Sequence, residues 1–205
     1  LLWNGKLPNQ SELDQFKSEL AEATELPAEL LEQMKSLPLK NAHSMTVLRT
    51  IVSTLAMYDK DAEDMSTEGN YKKAIRLQAQ MSSLVTAFAR IREGKDPIAP
   101  KKELSYAANF LYMLTGNEPD EISETAFNKA LVLHADHELN ASTFTARVCV
   151  ATLSDIYSGI TAAIGALKGP LHGGANEQVM KMLSEIGEEA NVDSYLEQAI
   201  ENKQK

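Results

Sequence analysis

The sequence predicts an all-α chain. Apolar residues recur at three- and four-residue spacing along nearly its whole length, the sign of helices that bury one face. No run alternates apolar and polar residues with period two, so no strand is expected. No unit of about 20–50 residues repeats, which argues against a solenoid.

The elements follow in order. Pro8-Asn9-Gln10 leads to Ser11 with Asp14 three residues on, a capping-box pattern that opens a helix running to about Thr24. Pro27 suits the first position of a second, short helix that ends before Pro38. Ser44 can cap a third, with Met45, Leu48, Ile51, Val52 and Leu55 on one face. A long helix covers about Asn70 to Glu93 and is stopped by Gly94 and Pro97. Another spans about Glu103 to Thr115 and closes at Gly116. Glu118-Pro119-Asp120 opens the next, which carries Ile122, Ala126, Leu133 and His137 along one stripe. Residues 141–168 read as one or two helices with a break near Ser154-Asp155, interrupted at Gly169-Pro170. A helix then starts near Gly174 and ends at Gly187, and a last one begins near Val192.

Composition narrows the function classes. The 205 residues make one domain, or one and a fraction. With 43 % hydrophobic and 24 % charged residues the chain can bury a sizeable core, which excludes disorder and low complexity. No apolar run approaches the roughly 20 residues of a membrane span, and Leu1-Leu2-Trp3-Asn4 has no basic stretch before an apolar core. The lone Cys149 excludes an internal disulfide framework and a cysteine-based zinc site. It sits in an apolar helix interior where a buried, inert thiol is the default, and a reducing, cytoplasmic setting is expected. Twenty basic against 29 acidic residues give a net charge of −9, so no nucleic-acid or anionic-membrane partner is expected. The basic residues Lys72, Lys73, Arg76, Arg90, Arg92, Lys95, Lys101 and Lys102 lie on the long helix and the loop after it. They read first as a solvated helix surface, and second as an attractant for an anionic ligand such as a nucleotide tail. The start without Met and the unmarked end at Lys205 suggest a piece of a longer chain.

The candidate chemistry lies in two segments that hold three of the four histidines. In Gly169-Pro170-Leu171-His172-Gly173-Gly174, glycine closes one helix, proline fixes the turn, and two further glycines let a ligand approach the backbone. His172 falls at or just before a new helix start, where the positive end of the dipole disfavours a second positive charge. A neutral histidine so placed suits hydrogen-bond donation to a developing enolate oxygen; the bland alternative is a histidine bonded only to backbone or water. In Leu133-His134-Ala135-Asp136-His137-Glu138, His134 and His137 are read as sharing one side of a helix. That spacing tempts a metal reading, but no further ligand set completes a site, so no metal is expected. The alternative is one histidine on an anionic substrate and one structural. His43 stands alone before a helix and suits capping or packing. Gly159, Ala162, Ala163, Gly165 and Ala166 thin one helix, which can then pack closely within the chain or across a dimer two-fold.

The two histidine segments resemble the citrate synthase family. The likeness runs through His134-Ala135-Asp136-His137-Glu138, Asn140 and Ser142, then Leu153-Ser154-Asp155 and the Gly/Ala-rich helix to Gly169-Pro170-Leu171-His172-Gly173. Upstream, Leu2-Trp3-Asn4-Gly5-Lys6-Leu7-Pro8 is similar to a family segment near the end of an early helix. His43-Ser44-Met45 through Leu48-Arg49-Thr50 is similar to its His-Pro-Met…Leu-Arg-Thr segment, with Ser44 in place of proline. The resemblance covers essentially the whole chain and leans towards bacterial dimeric citrate or 2-methylcitrate synthases.

The resemblance implies an acyltransferase that condenses acetyl-CoA, or a close acyl-CoA, with oxaloacetate to give citrate and CoA. It implies His172 as the catalytic histidine that stabilises the enol. It implies His137 as an oxaloacetate ligand, with Asn140 and Ser142 lining or supporting the substrate site. It implies no metal and no permanently bound cofactor, acetyl-CoA being a cosubstrate. The implied fold is an all-helical large domain (residues 1–174 here, in part) and the beginning of a small domain (residues 175–205), in a homodimer built by large-domain helices. The family's second catalytic histidine, its aspartate base and most carboxylate-clamping arginines have no match here, since of five arginines only Arg147 lies beyond position 92. The chain alone is therefore expected to be inactive. A shortened, non-catalytic dimerising or regulatory paralogue is the alternative.

Overall fold

The computed structural model describes residues 1–202, with only the backbone of 175 and 176. Among the described residues the regular structure is helical throughout. Helix α1 (Gln10–Glu22) is opened by Asn9, whose side chain accepts from the Glu12 amide at 2.9 Å while Glu12 accepts from the Asn9 amide at 2.8 Å. The capping box thus lies two residues earlier than the Ser11/Asp14 pair expected. The longer Glu12 side chain reaches back to the cap amide, whereas Asp14 pairs with Gln10 at 2.8 Å.

Helix α2 (Ala28–Ser36) has Pro27 as its cap rather than its first residue, and it ends before Pro38. Helix α3 (Ser44–Leu55) is capped by His43, not Ser44; His43 Nδ1 accepts from the Met45 amide at 3.2 Å. Helix α4 (Thr67–Arg92) starts three residues before expectation because Ser66 accepts from the Gly69 amide at 3.0 Å. Helix α5 (Tyr106–Thr115) starts later than Glu103 because Ser105 takes the cap, and it closes at Gly116 with φ +89°. Helix α6 (Glu121–Leu133) follows Asp120. The region 141–168 divides as expected into α7 (Ala141–Val150) and α8 (Ile156–Leu167), and Asp155 caps the second. Helices α9 (Gly174–Ile186) and α10 (Val192–Glu201) complete the described chain.

The core forms where α2, α3, α4 and α8 meet. Leu30, Met34, Ile51, Val52, Leu84 and Tyr157 are each at most 2 % exposed. Burying each such side chain is worth about 1.5–3 kcal/mol. The α7–α8 hairpin packs on this core through α8. Part of the thin face of α8 is spent inside the chain. A Cβ on Gly159 would lie 2.8 Å from Val150 Cγ1 of α7, and one on Gly165 would lie 3.7 Å from Arg49 Cδ of α3. Apolar residues on α9 and α10, among them Met180, Leu183 and Ile200, are exposed.

The basic residues of α4 and its following loop bond to protein partners, Lys73 in the interior and most of the others at the surface. Lys73 is fully buried and donates to the carbonyls of Ala62 (2.8 Å) and Asp64 (2.6 Å). Lys72 pairs with Glu68, Arg76 with Asp59, Lys95 with Glu93, Lys101 with Glu118 and Lys102 with Glu22. No helix of the described residues is long and apolar enough to cross a membrane.

Candidate active site

The site is built by the α7–α8 hairpin and the turn that follows it. Asn140 caps α7 by accepting from the Thr143 amide at 3.0 Å, which places Ser142 in the first turn of that helix. Helix α8 runs alongside and presents the carbonyl of Ala163. After Leu167 the chain reverses through a compact turn, held by His172 N–H to the Gly169 carbonyl (3.0 Å) and Gly174 N–H to the same oxygen (3.2 Å). Gly173 is needed for this reversal. A Cβ there would sit 2.4 Å from the Leu167 carbonyl oxygen and 2.6 Å from its Cδ1. Helix α9 begins at Gly174, so His172 stands just before a helix start, as its segment predicts.

The turn brings His172 Nε2 to 2.7 Å from Ser142 Oγ, 30 residues back in the chain. Ser142 Oγ is also 3.1 Å from the Ala163 carbonyl oxygen. A hydroxyl has one proton, so Ser142 donates to one of these acceptors at a time. When it donates along the shorter contact, Nε2 is an acceptor and a neutral imidazole carries its proton on Nδ1. Both side chains are half-buried.

His137 and Asn140 stand differently. Helix α6 ends at Leu133, so His134 and His137 do not share a helical side as expected. His134 is the C-cap, with its amide 3.1 Å and its Nδ1 2.7 Å from the Ala130 carbonyl. Asp136 then accepts from the Glu138 amide at 2.9 Å, and Glu138 adopts φ +57°, turning the chain out of the helix. His137 is exposed on this turn, edge-on to His134 with ring centroids 6.1 Å apart. The Asn140 side chain is engaged in the cap of α7 rather than in the Ser142–His172 contact. Among the described residues no three His, Cys, Asp or Glu side chains converge to hold a metal ion.

Two features escaped the sequence reading. His43, besides capping α3, places Nε2 4.0 Å from Glu177 Oε2 of α9. The Lys181 hydrogen bond first, with a smaller contribution from His43, holds the Glu177 carboxyl below its usual range. The second is a buried node of Asp59, Arg76 and Tyr157, whose members are too far apart in sequence to form a motif.

The citrate synthase C-terminal domain profile matches residues 1–205. Citrate synthase 2 of Bacillus subtilis is 60 % identical over 205 residues, covering all of this chain and 55 % of that protein. Citrate synthase of Deinococcus radiodurans is 48 % identical over 204 residues, covering all of this chain and 54 % of that protein. The citrate synthase of the archaeon Thermoplasma acidophilum, solved as a ternary complex with carboxymethyl coenzyme A and oxaloacetate, superposes with a TM-score of 0.88. It is 32 % identical, over 98 % of this chain and 52 % of that one. The chain thus spans about half the length of the curated relatives it matches.

Proposed function

The chain belongs to the citrate synthase family, and on that premise we propose that this protein condenses acetyl-CoA, or a close acyl-CoA, with oxaloacetate to give citrate and CoA. The observation that carries the reading is the 2.7 Å contact between Ser142 Oγ and His172 Nε2. Enolisation removes a proton from the acyl methyl and leaves negative charge growing on the thioester oxygen. A donor aimed at that oxygen lowers the barrier by about 3–4 kcal/mol. With Ser142 donating to Nε2, the proton on Nδ1 is the one the thioester oxygen would accept. The enol carbon then attacks the ketone carbon of oxaloacetate, whose oxygen gains a proton and becomes a hydroxyl. Water finally cleaves the thioester and releases CoA.

In this reading His137 binds oxaloacetate, and the exposure of its ring on the turn after α6 supports such a role. Asn140 acts one step back, holding the start of α7 on which Ser142 stands. Residues up to about 174 form part of a large domain and the rest begins a small one, in a cytoplasmic homodimer with no permanently bound cofactor. Enolisation also needs a base at the α-carbon. The family's aspartate base has no match in the resemblance, and on this reading the 205 residues alone do not turn over.

The test is citrate and CoA formation by the full-length gene product with acetyl-CoA and oxaloacetate. His172→Gln is expected to lower kcat about 10²–10³-fold with little change in KM for oxaloacetate. Absence of condensation, or a His172→Gln variant as fast as the parent, would overturn the reading.

A further inference from the structure

A second candidate site lies away from Ser142 and His172, where α2, α3 and the C-terminal half of α4 meet. The three helices line an open pocket of about 260 Å³. Apart from one residue its walls are apolar, with Met34 from α2, Val47 and Ile51 from α3, and Leu84, Phe88 and Ala89 from α4. The single polar wall residue is Ser44, the first residue of α3.

One cation, Arg92, stands beside two of the lining residues. Arg92 donates from Nη1 to Ser44 Oγ at 3.2 Å, and its guanidinium carbon lies 5.7 Å from the centroid of the Phe88 ring. A guanidinium has five N–H donors, and Ser44 takes one of them. Among the described residues no carboxylate pairs with Arg92, in contrast to Lys72, Arg76, Lys95, Lys101 and Lys102. The first turn of α3, a helix of 12 residues, begins at the same Ser44 and turns its positive dipole end there.

An apolar pocket with a cation beside it matches a molecule that is apolar along its length and anionic at one end. We propose that this pocket binds a straight-chain fatty carboxylate, its tail between α3 and α4 and its carboxylate on Arg92. If each carbon takes about the ~30 Å³ of a water molecule, the chamber holds roughly eight carbons. Octanoate is therefore the probe. Octanol carries the same tail without the charge, and acetate the charge without the tail.

Titration calorimetry on the full-length gene product tests the assignment. Octanoate binds and acetate does not. Arg92→Gln, a surface change, weakens octanoate about fivefold and leaves octanol unaltered, the effect of losing one exposed ion pair. Ala89→Leu fills the chamber and weakens octanoate and octanol alike, about tenfold or more. No octanoate binding up to about 5 mM, the weak end of specific affinity, overturns the proposal; that result is expected if another segment of the protein fills the chamber. Octanoate affinity unchanged by Arg92→Gln, or by a folded Ala89→Leu, overturns it equally. None of these measurements depends on citrate formation, so the site and the proposed activity stand or fall separately.

Discussion

The phenol of Tyr157 donates to Asp59 Oδ2 at 2.5 Å across 98 residues of sequence. The same carboxylate accepts from Arg76 Nη2 at 2.6 Å and Nε at 3.1 Å. Tyr157 is 2 % exposed and lies in the first turn of α8, so the bond ties the start of that helix to α4 and the turn before it. Tyr157→Phe keeps the ring in place and removes only the hydroxyl. It is expected to cost about 1–2 kcal/mol, read as a lower urea midpoint at unchanged slope. Asp59→Ala also strands the half-buried Arg76 and is expected to cost about 3 kcal/mol or more.

The same node gives the protein an acid limb. Burial pushes the Asp59 carboxyl upward, but the Tyr157 hydroxyl, the Asp61 amide and Arg76 together hold it below its ordinary 3.8. A carboxyl with a depressed folded pKa contributes stability that is fully present above the unfolded value. That contribution is lost as pH falls through the folded value. Urea midpoints measured from about pH 6 down to about pH 3 should therefore fall below about pH 4. Asp59→Asn should be less stable at neutral pH and should lose less on acidification. Parallel curves for the two proteins would show that other carboxyls set the acid limb.

The helices were legible because Gly and Pro punctuate a steady three-to-four apolar spacing, and because α8 follows Ser154-Asp155 as a cap should. Their starts were less so. Asn9, His43 and Ser105 compete with nearby serines or acids for the cap, and side-chain reach, not residue type, decides between them. The pairing of His134 with His137 on one helix failed because His134 itself ends α6 and Asp136 turns the chain. The place of His172 just before a helix start could be read from its segment. Its partnership with Ser142 could not, because it exists only once α7 and α8 fold back on each other. The Asp59–Arg76–Tyr157 node has no spacing signal at all.

Leu153, in the turn between α7 and α8, adopts φ +65° and is 83 % exposed. The left-handed conformation costs an L-residue about 1–2 kcal/mol, and an exposed leucine recovers little of that by packing. Leu153→Gly is expected to raise stability by about 0.5–1 kcal/mol, the gain being reduced by glycine's freedom in the unfolded chain. A thermal midpoint at or below that of the parent would show that the leucine is held by contacts worth more than the strain.

Gly173 offers a sharper contrast with Gly159. A Cβ at 173 meets the Leu167 carbonyl oxygen at 2.4 Å, a backbone atom that cannot rotate away, whereas a Cβ at 159 meets Val150 Cγ1 at 2.8 Å, a side chain that can shift. Gly173→Ala should therefore displace the His172 turn, while Gly159→Ala should strain only the α7–α8 seam, by about 1–3 kcal/mol. Nitrogen-15 spectra of the imidazoles separate the two. The His172 resonances should move in Gly173→Ala and stay in place in Gly159→Ala.

Ser142→Ala isolates what the hydroxyl does for His172. The substitution sits one residue inside α7, where alanine is a good helix former, so the cap from Asn140 to Thr143 is retained. What is lost is the hydroxyl 2.7 Å from Nε2, the donor to His172 in the proposed reaction. Without it nothing in the pair favours leaving the ring proton on Nδ1, and the neutral imidazole divides between its two tautomers. Only one of them donates towards the thioester oxygen in the proposed reaction. The expected result is a fall in kcat of about tenfold, the effect of losing one positioning hydrogen bond, with KM for oxaloacetate nearly unchanged. The His172 ring nitrogens should shift in parallel in the nitrogen-15 spectrum. Ser142→Thr, which restores a hydroxyl, should recover both signals. A drop in kcat with unmoved ring nitrogens would mean that Ser142 acts on the substrate directly rather than through His172.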